Sequence, residues 1–401
     1  TKLPNTPSDT LSEKNQTIRL SRMGAALLTS VPNMVPRHSR PLLPNYPAFD
    51  LFPHTQWQKC LIRQSRKKDA VSMGYGNLMG HLPLRENLAD YLNVHRGANC
   101  SAEQILITSG GHFSFTLALL LLTEENDKIW FEDPGAHVTR SLFEAFGRTL
   151  VDIDVDKDGM MVDYAIQHHP DAAMAFVMPS RQHPLGTTLS LPRRLALLDW
   201  ATKNNSWILE DDYDSEFRYK GRPLASISSI DQSGRVIYSG TFSKSMHPSL
   251  RIGYLVLPKQ LIIPFQNATG LMVRSIPTGV QAALAEFIER GYFATHIRRM
   301  KNLYGERREA LLSLSTKILG NLVEIDVPDS GMNIIYWLKP NQDDQKIAKL
   351  MEQHGIVIYP MSDYRSRPHY RPGLILGFTS APAEEIVTPL NQLKTILLTN
   401  P

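Results

Sequence analysis

From about residue 85 to residue 260, short apolar runs alternate with longer stretches of helical spacing. The runs 104–108, 128–131, 172–178, 207–209 and 235–239 are each too short for a helix and rich in residues that fit a pleated, buried surface. Between them, 113–122 reads as a buried helix, and 191–203 as a helix with Ser190 at its N-cap and Pro192 in its first turn. Strands alternating with helices predict an α/β fold, a mainly parallel sheet covered on both faces, in which ligands collect at the carboxyl ends of the strands. Further on, 295–312 spaces Ile297, Met300, Leu303 and Leu311 along one helix face. Its arginines and lysine lie mostly elsewhere, and a solvated basic face explains them better than a DNA contact.

The first 45 residues break this pattern. A polar start is followed by one short helical stretch near 18–28, then by Pro32, Pro36, Pro41, Pro44 and Pro47. Prolines at that density forbid regular helix and predict an extended tether reaching a domain near Phe49. At 401 residues the chain is long enough for two or three domains. The expected division is a linker over 1–45, an N-terminal part of the small domain or dimer arm over 46–92, a large domain over 93–289 and a C-terminal small domain over 290–401.

Composition adds little. With 42% hydrophobic and 20% charged residues the chain is an ordinary globular one, and a net charge of +4 gives no reason of its own to invoke nucleic acid. Two cysteines, Cys60 and Cys100, make no disulfide framework and no zinc site, so reduced thiols, no metal and the cytoplasm are expected. No apolar run reaches the roughly 20 residues of a membrane helix.

The candidate chemistry sits at the predicted strand ends. Gly240-Thr-Phe-Ser-Lys-Ser245 follows one strand, and a lysine there can form a Schiff base with an aldehyde. Glu210-Asp-Asp-Tyr-Asp214 follows another. A carboxylate from it can keep a pyridine nitrogen protonated, while a metal cluster or a solvated turn are the other readings. Ser109-Gly-Gly-His112 opens a helix, whose unpaired N–H groups suit a phosphate, and Arg251 with Thr241 supplies further anion contacts.

Together these segments resemble pyridoxal-phosphate (PLP)-dependent aminotransferases. The strings Glu210-Asp-Asp-Tyr-Asp-Ser-Glu-Phe217, Leu250-Arg-Ile-Gly-Tyr-Leu-Val-Leu257, Ser190-Leu-Pro-Arg-Arg194, Gly80-His-Leu-Pro-Leu-Arg85 and Asp50-Leu-Phe-Pro53 resemble the effector domain of MocR-type regulators, from about Phe49 to about Ile386. The resemblance implies the aspartate-aminotransferase-like fold, with a large domain built on a seven-stranded type of sheet and a smaller α+β domain. It implies PLP as cofactor, with Lys244 as its aldimine lysine, Asp211 at the pyridine nitrogen and Tyr213 at the ring oxygen. Gly111, His112, Thr241 and Arg251 would hold the phosphate, Ser180 would border it, and Tyr75 would reach across a homodimer. Arg371 would take an effector carboxylate.

In that family a DNA-reading winged helix-turn-helix precedes this domain, so residues 1–45 are expected to end a linker whose DNA-binding half lies upstream. The effector would be an amino compound or PLP itself, with an amino-acid aminotransferase as the alternative function. Three departures stand out. Ala136 and His137 follow Pro134-Gly135 where the family carries a stacking aromatic, so stacking on the ring passes to His137, to another residue or to none. Arg181 and His183 replace the usual residues after Ser180, and Asn333 stands where histidine is common, which reads equally as a pocket recut for a different, more anionic effector or as neutral drift at its rim.

Overall fold

A computed structural model describes residues 19–29, 40–67, 73–221, 225–367 and 371–400. Among the described residues, twelve strands form two sheets. The larger contains β1 (Ile105–Thr108), β2 (Lys128–Asp133), β3 (Thr149–Asp156), β4 (Gly159–Met160), β5 (Met174–Val177), β6 (Trp207–Asp212), β7 (Val236–Thr241) and β8 (Gly253–Val256). Their order is β1-β8-β7-β6-β5-β2-β3-β4. Five of them, β3-β2-β5-β6-β7, run parallel, and β8 pairs antiparallel with both β7 and β1. Without the two-residue β4, this is the seven-stranded sheet expected. Each of β1, β5 and β8 is buried along its whole length, which is why its sequence is a continuous apolar run rather than an alternating one.

The second sheet, β11 (Tyr359–Pro360), β12 (Gly373–Gly377), β10 (Asn333–Trp337) and β9 (Glu324–Asp326), is antiparallel. One face packs on the helices Tyr292–Leu319, Asp344–Gln353 and Val387–Thr399 through Ile334, Tyr336, Leu374 and Leu376. The other face, with Ile335, Trp337 and Ile375, packs on Met361 and Tyr364 and meets Leu185 of the large domain. On the long helix Arg298, Arg299 and Lys301 are exposed, as a solvated face requires, but two arginines depart from that expectation. Arg307 and Arg308 are buried, Arg307 donating to Thr379 O and Arg308 lying over the Tyr219 ring at 5.2 Å.

Two expectations about domains are corrected. The helices His54–Ser65 and Leu82–Arg96 join the large-domain core, where Trp57, Cys60, Leu84 and Leu88 pack with Ile105, Tyr238, Tyr254 and Phe287. The antiparallel β1–β8 edge offers these apolar residues a surface, so within 46–92 only the first residues, with Ala48 and Leu51, pack in the small domain, and the two helices do not. Residues 1–18 and 30–39 of the expected linker lie outside the described residues, but its last part is described and corrects the expectation. Residues 40–48 are laid into the small domain: Leu42 is buried in its core, Leu42 O accepts from Gly377 N, and Ala48 N donates to Tyr304 Oη. Of the predicted helix near 18–28, Arg22–Thr29 is helical and Ile18 lies outside the described residues. Ser190 occupies the N-cap of Leu191–Lys203, but its side chain makes no capping bond.

The burial of Leu42 has a measurable consequence. Leu42→Ala is expected to destabilise the protein by about 2–5 kcal/mol, the range for emptying a packed leucine site. The exposed Leu28→Ala should stay within about 0.5 kcal/mol. Urea unfolding of the two variants checks this, and equal stabilities would return residues 40–48 to the tether.

Candidate cofactor site

β6 and β7 run further than their apolar cores suggest, so the acids after Leu209 and the residues before Lys244 emerge side by side at the carboxyl edge of the sheet. Strand alternation then sorts the acids. Glu210 accepts from Ile227 N and Ser228 N at 3.0 and 2.9 Å, capping the next helix. Asp212 pairs with Arg96 at 2.7 Å and accepts from Tyr238 Oη at 2.6 Å. Asp214 pairs with Arg181 at 3.2 Å. Asp211, on the opposite face from Glu210 and Asp212, makes no hydrogen bond among the described residues. Burial, then the neighbouring Asp212 and Asp214, pushes its carboxyl up to about 8.

Lys244 is half-buried, and its Nζ donates to Asn45 O at 3.0 Å. Burial brings the amine down to about 8, against the pull of the Asp214 and Asp211 carboxylates. A neutral, nucleophilic amine is therefore within reach near neutral pH, unlike an ordinary lysine.

The anion-binding turn is built as the sequence suggests. Gly110 N-caps the helix Gly111–Leu122 with φ +103°, a conformation that favours glycine. The first N–H groups, those of Gly111 and His112, have no partner within the helix. Arg251 Nη2 donates to Ser109 O at 2.8 Å, and its guanidinium lies so close to Gly110 that a Cβ there would touch it. Thr241 Oγ1 donates to Ser243 Oγ at 3.0 Å and accepts from Ser243 N at 3.2 Å, which adds Ser243 to the group. The His112 imidazole is held below its ordinary value by burial and then by Arg251, so it is neutral beside the turn.

Other predicted residues fall elsewhere. Arg371 stands before β12 at the Trp337 end of the β10–β12 ladder, over the Trp337 ring at 5.6 Å and paired with Glu324. Asn333 ends the same ladder on the side of Arg181, roughly 13 Å away at the usual rise per strand residue. The structure therefore does not bring Arg371 to the site. Nor is Arg181 an open cation for an effector: it is 2% exposed and bonded to Tyr213, Asp214 and Ser330. Tyr75 is 82% exposed, under the Arg274 guanidinium at 5.5 Å, with no described contact to Lys244. Ser180 is half-buried, and its carbonyl accepts from Thr188 Oγ1 at 3.3 Å.

The two unusual histidines meet around one ring. His137 lies edge-on to Tyr364 with centroids 4.7 Å apart, and His183 does the same at 5.0 Å. Each has a buried Nδ1 without a partner, and burial holds both imidazoles below their ordinary value, His183 well below. Burial thus favours the uncharged form of both, which lends no support to an added positive charge for an anionic effector. Sequence reasoning missed Asn45, Ser243 and Tyr364. The signal for Asn45 was the apolar pair Leu42-Leu43 inside the proline passage.

The aminotransferase class I and II family matches residues 49–375. The chain is 33% identical, over 98% of its length, to the probable rhizopine catabolism regulatory protein MocR of Rhizobium meliloti, of which it spans 80%. The chain belongs to the class I and II aminotransferase family, and within it to the MocR-type regulators. A second MocR-type relative, the uncharacterized HTH-type transcriptional regulator YhdI of Bacillus subtilis (strain 168), is 36% identical over 86% of this chain and 73% of its own length. Among solved structures, the kynurenine aminotransferase of Pyrococcus horikoshii, in complex with PMP, superimposes with a TM-score of 0.82 at 25% identity over 97% of both chains. An archaeal alanine:glyoxylate aminotransferase gives 0.83 at 26% identity over 95% of this chain and 96% of that one.

The MocR-type fold expected from the sequence is therefore present, and the cofactor that goes with the family is PLP. The residues fit it: a carboxyl without a partner, an amine lowered by burial and a turn of free N–H groups beside an arginine are the three things its pyridine nitrogen, aldehyde and phosphate require.

Proposed function

We propose that this chain is the effector-binding domain of a transcriptional regulator, holding PLP on Lys244 and responding to an amino compound, or to PLP itself, by a change of conformation. The observation that carries this reading is the match over nearly the whole chain to a relative named as a regulatory protein, combined with a partnerless Asp211 near enough to the Lys244 amine for their charges to act on each other. Bound PLP would supply an aldehyde carbon that exchanges amines and a ring that withdraws electrons. The chain's own residues do the rest. Lys244 would offer the amine, Asp211 would accept a charge-assisted hydrogen bond from the protonated ring nitrogen, and Tyr213 would donate to the ring oxygen. Gly111, His112, Thr241 and Arg251 hold the phosphate, and Ser180 and His137 border the ring. Arg371 and Arg181 have no place in effector binding.

Asn45 gives the reading a route outward. Its carbonyl accepts from Lys244, its side chain pairs with Asn333 at 2.6 Å, and the chain leads directly back towards residue 40. A change at the Lys244 amine is thus felt first by the segment that enters the domain from its N-terminal side. Regulation then needs only a two-state bias, about 1.4 kcal/mol for a 10-fold preference between states.

The test is a titration of the PLP-loaded protein with a panel of amines and amino acids, followed by absorbance and by a product assay. An absorbance change that stays without a keto product supports sensing. Complete conversion to the pyridoxamine form, reversed by a keto acid, would make the protein an aminotransferase and remove the reading.

A further inference from the structure

The proposed cofactor site contains one buried charge that its chemistry does not use. Arg181 is 2% exposed, and its donors are distributed in three directions. Nη1 donates to Tyr213 Oη at 2.7 Å and to Asp214 Oδ2 at 3.2 Å, and Nε donates to Ser330 O at 2.9 Å. Nη2 points towards Asn333 O at 3.5 Å. The small-domain turn is shaped to receive it. Gly331 has φ +91°, and a Cβ at that position would overlap the guanidinium. The turn is fastened in its own right by Gly331 N to Phe217 O at 2.7 Å and by Tyr219 Oη to Gly331 O at 2.8 Å.

An arginine has five donors and no acceptor, and it stays charged in proteins. Tyr213 Oη must therefore accept from it, and the single phenolic proton has to be directed elsewhere. Tyr213 follows the last residue of β6, two positions beyond Asp211 and near enough for the Asp211 carboxylate to act on its hydroxyl. We propose that Arg181 is a positioning residue: it makes the Tyr213 hydroxyl a one-way donor towards the ring oxygen of PLP, and it is itself held in register by the small-domain turn 330–333. The inference rests on the PLP reading above. The charged and titratable groups around the guanidinium are Asp214 and Tyr213 from the end of β6, Tyr219 from the turn beyond it, and His183 from its own loop, with Lys244 further off. Asp214 balances its charge, so the arginine acts on the ring through the tyrosine.

The experiment uses the full chain loaded with PLP and reads the pH midpoint of the cofactor's colour change in wild type, Arg181→Gln, Arg181→His, Tyr213→Phe and Arg181→Gln/Tyr213→Phe. Removing a cation and the hydrogen bond it polarises favours the protonated cofactor, so each single variant is expected to raise the midpoint by about one pH unit. The double variant should move no further than the larger single shift, because both changes remove one interaction. A merely structural arginine would lower the melting temperature and leave the midpoint in place. Arg181→His is a second replacement that removes the guanidinium, so it serves if Arg181→Gln does not fold. Midpoints within about 0.2 unit of wild type in a folded Arg181 variant, additive shifts, or no shift in Tyr213→Phe would each overturn the proposal. A wild-type protein that shows no bound-cofactor absorbance at all would instead remove the PLP reading itself.

Discussion

Lys244→Ala is expected to abolish covalent attachment of PLP completely. After loading and borohydride reduction, wild-type protein should gain the mass of one reduced cofactor and the variant none. The expectation follows from placement: this amine is half-buried at the carboxyl edge of the sheet, close enough to Asp211 and Asp214 to feel both, and brought down to about 8 by desolvation. At pH 7 roughly a tenth of it is neutral, against a few parts in ten thousand for an ordinary lysine. The rate of loading should accordingly rise with pH and level off above about 8, rather than climbing on towards 10.5. The variant keeps the Gly110–His112 turn and Arg251, so weak, dialysable binding through the phosphate is still expected. Equal mass gain in wild type and variant would place the cofactor on a different lysine.

Asp211→Asn should have the next largest effect, and in opposite directions with and without cofactor. With PLP, the variant loses a carboxylate at this edge that has no other hydrogen-bond partner among the described residues. Leaving a buried charge unpaired costs about 3–5 kcal/mol, so retention of PLP should weaken by about two to four orders of magnitude. Without PLP the sign reverses. The folded Asp211 carboxyl is raised above its ordinary 3.8 to about 8. Its favourable contribution is complete below the unfolded value and is lost as pH rises through about 8. Asparagine carries no such burden, so the cofactor-free variant should be more stable than wild type above about pH 8. Thermal unfolding of both forms across pH 6–9 checks the pair of signs. A variant weakened in both states would show that Asp211 is part of the frame instead.

Acidic neighbours show why composition alone could not make that assignment. Glu210, Asp211, Asp212 and Asp214 look alike in the sequence, and a metal cluster or a solvated turn would read the same. What separates them is occupancy: a helix end, an arginine with a tyrosine, and a second arginine take three of them. The histidines teach the opposite lesson. Read as residues, His183 and Arg181 promise a cationic pocket; in place, burial neutralises the first and Asp214 with Tyr213 absorbs the second.

The linear chain by itself determined the alternation of buried strands and helices, the lysine loop, the aspartate string and the glycine turn, because each is a contiguous run whose chemistry and local geometry are set by near neighbours. Only the tertiary structure decided that residues 40–48 close over Lys244, that Arg371 lies at the far end of its sheet and that Arg181 is consumed. Those facts depend on which distant groups reach a side chain first. Asn45 and Lys244 are 199 positions apart, and Arg181 and Ser330 are 149 apart. No local pattern encodes a hydrogen bond made across such a separation.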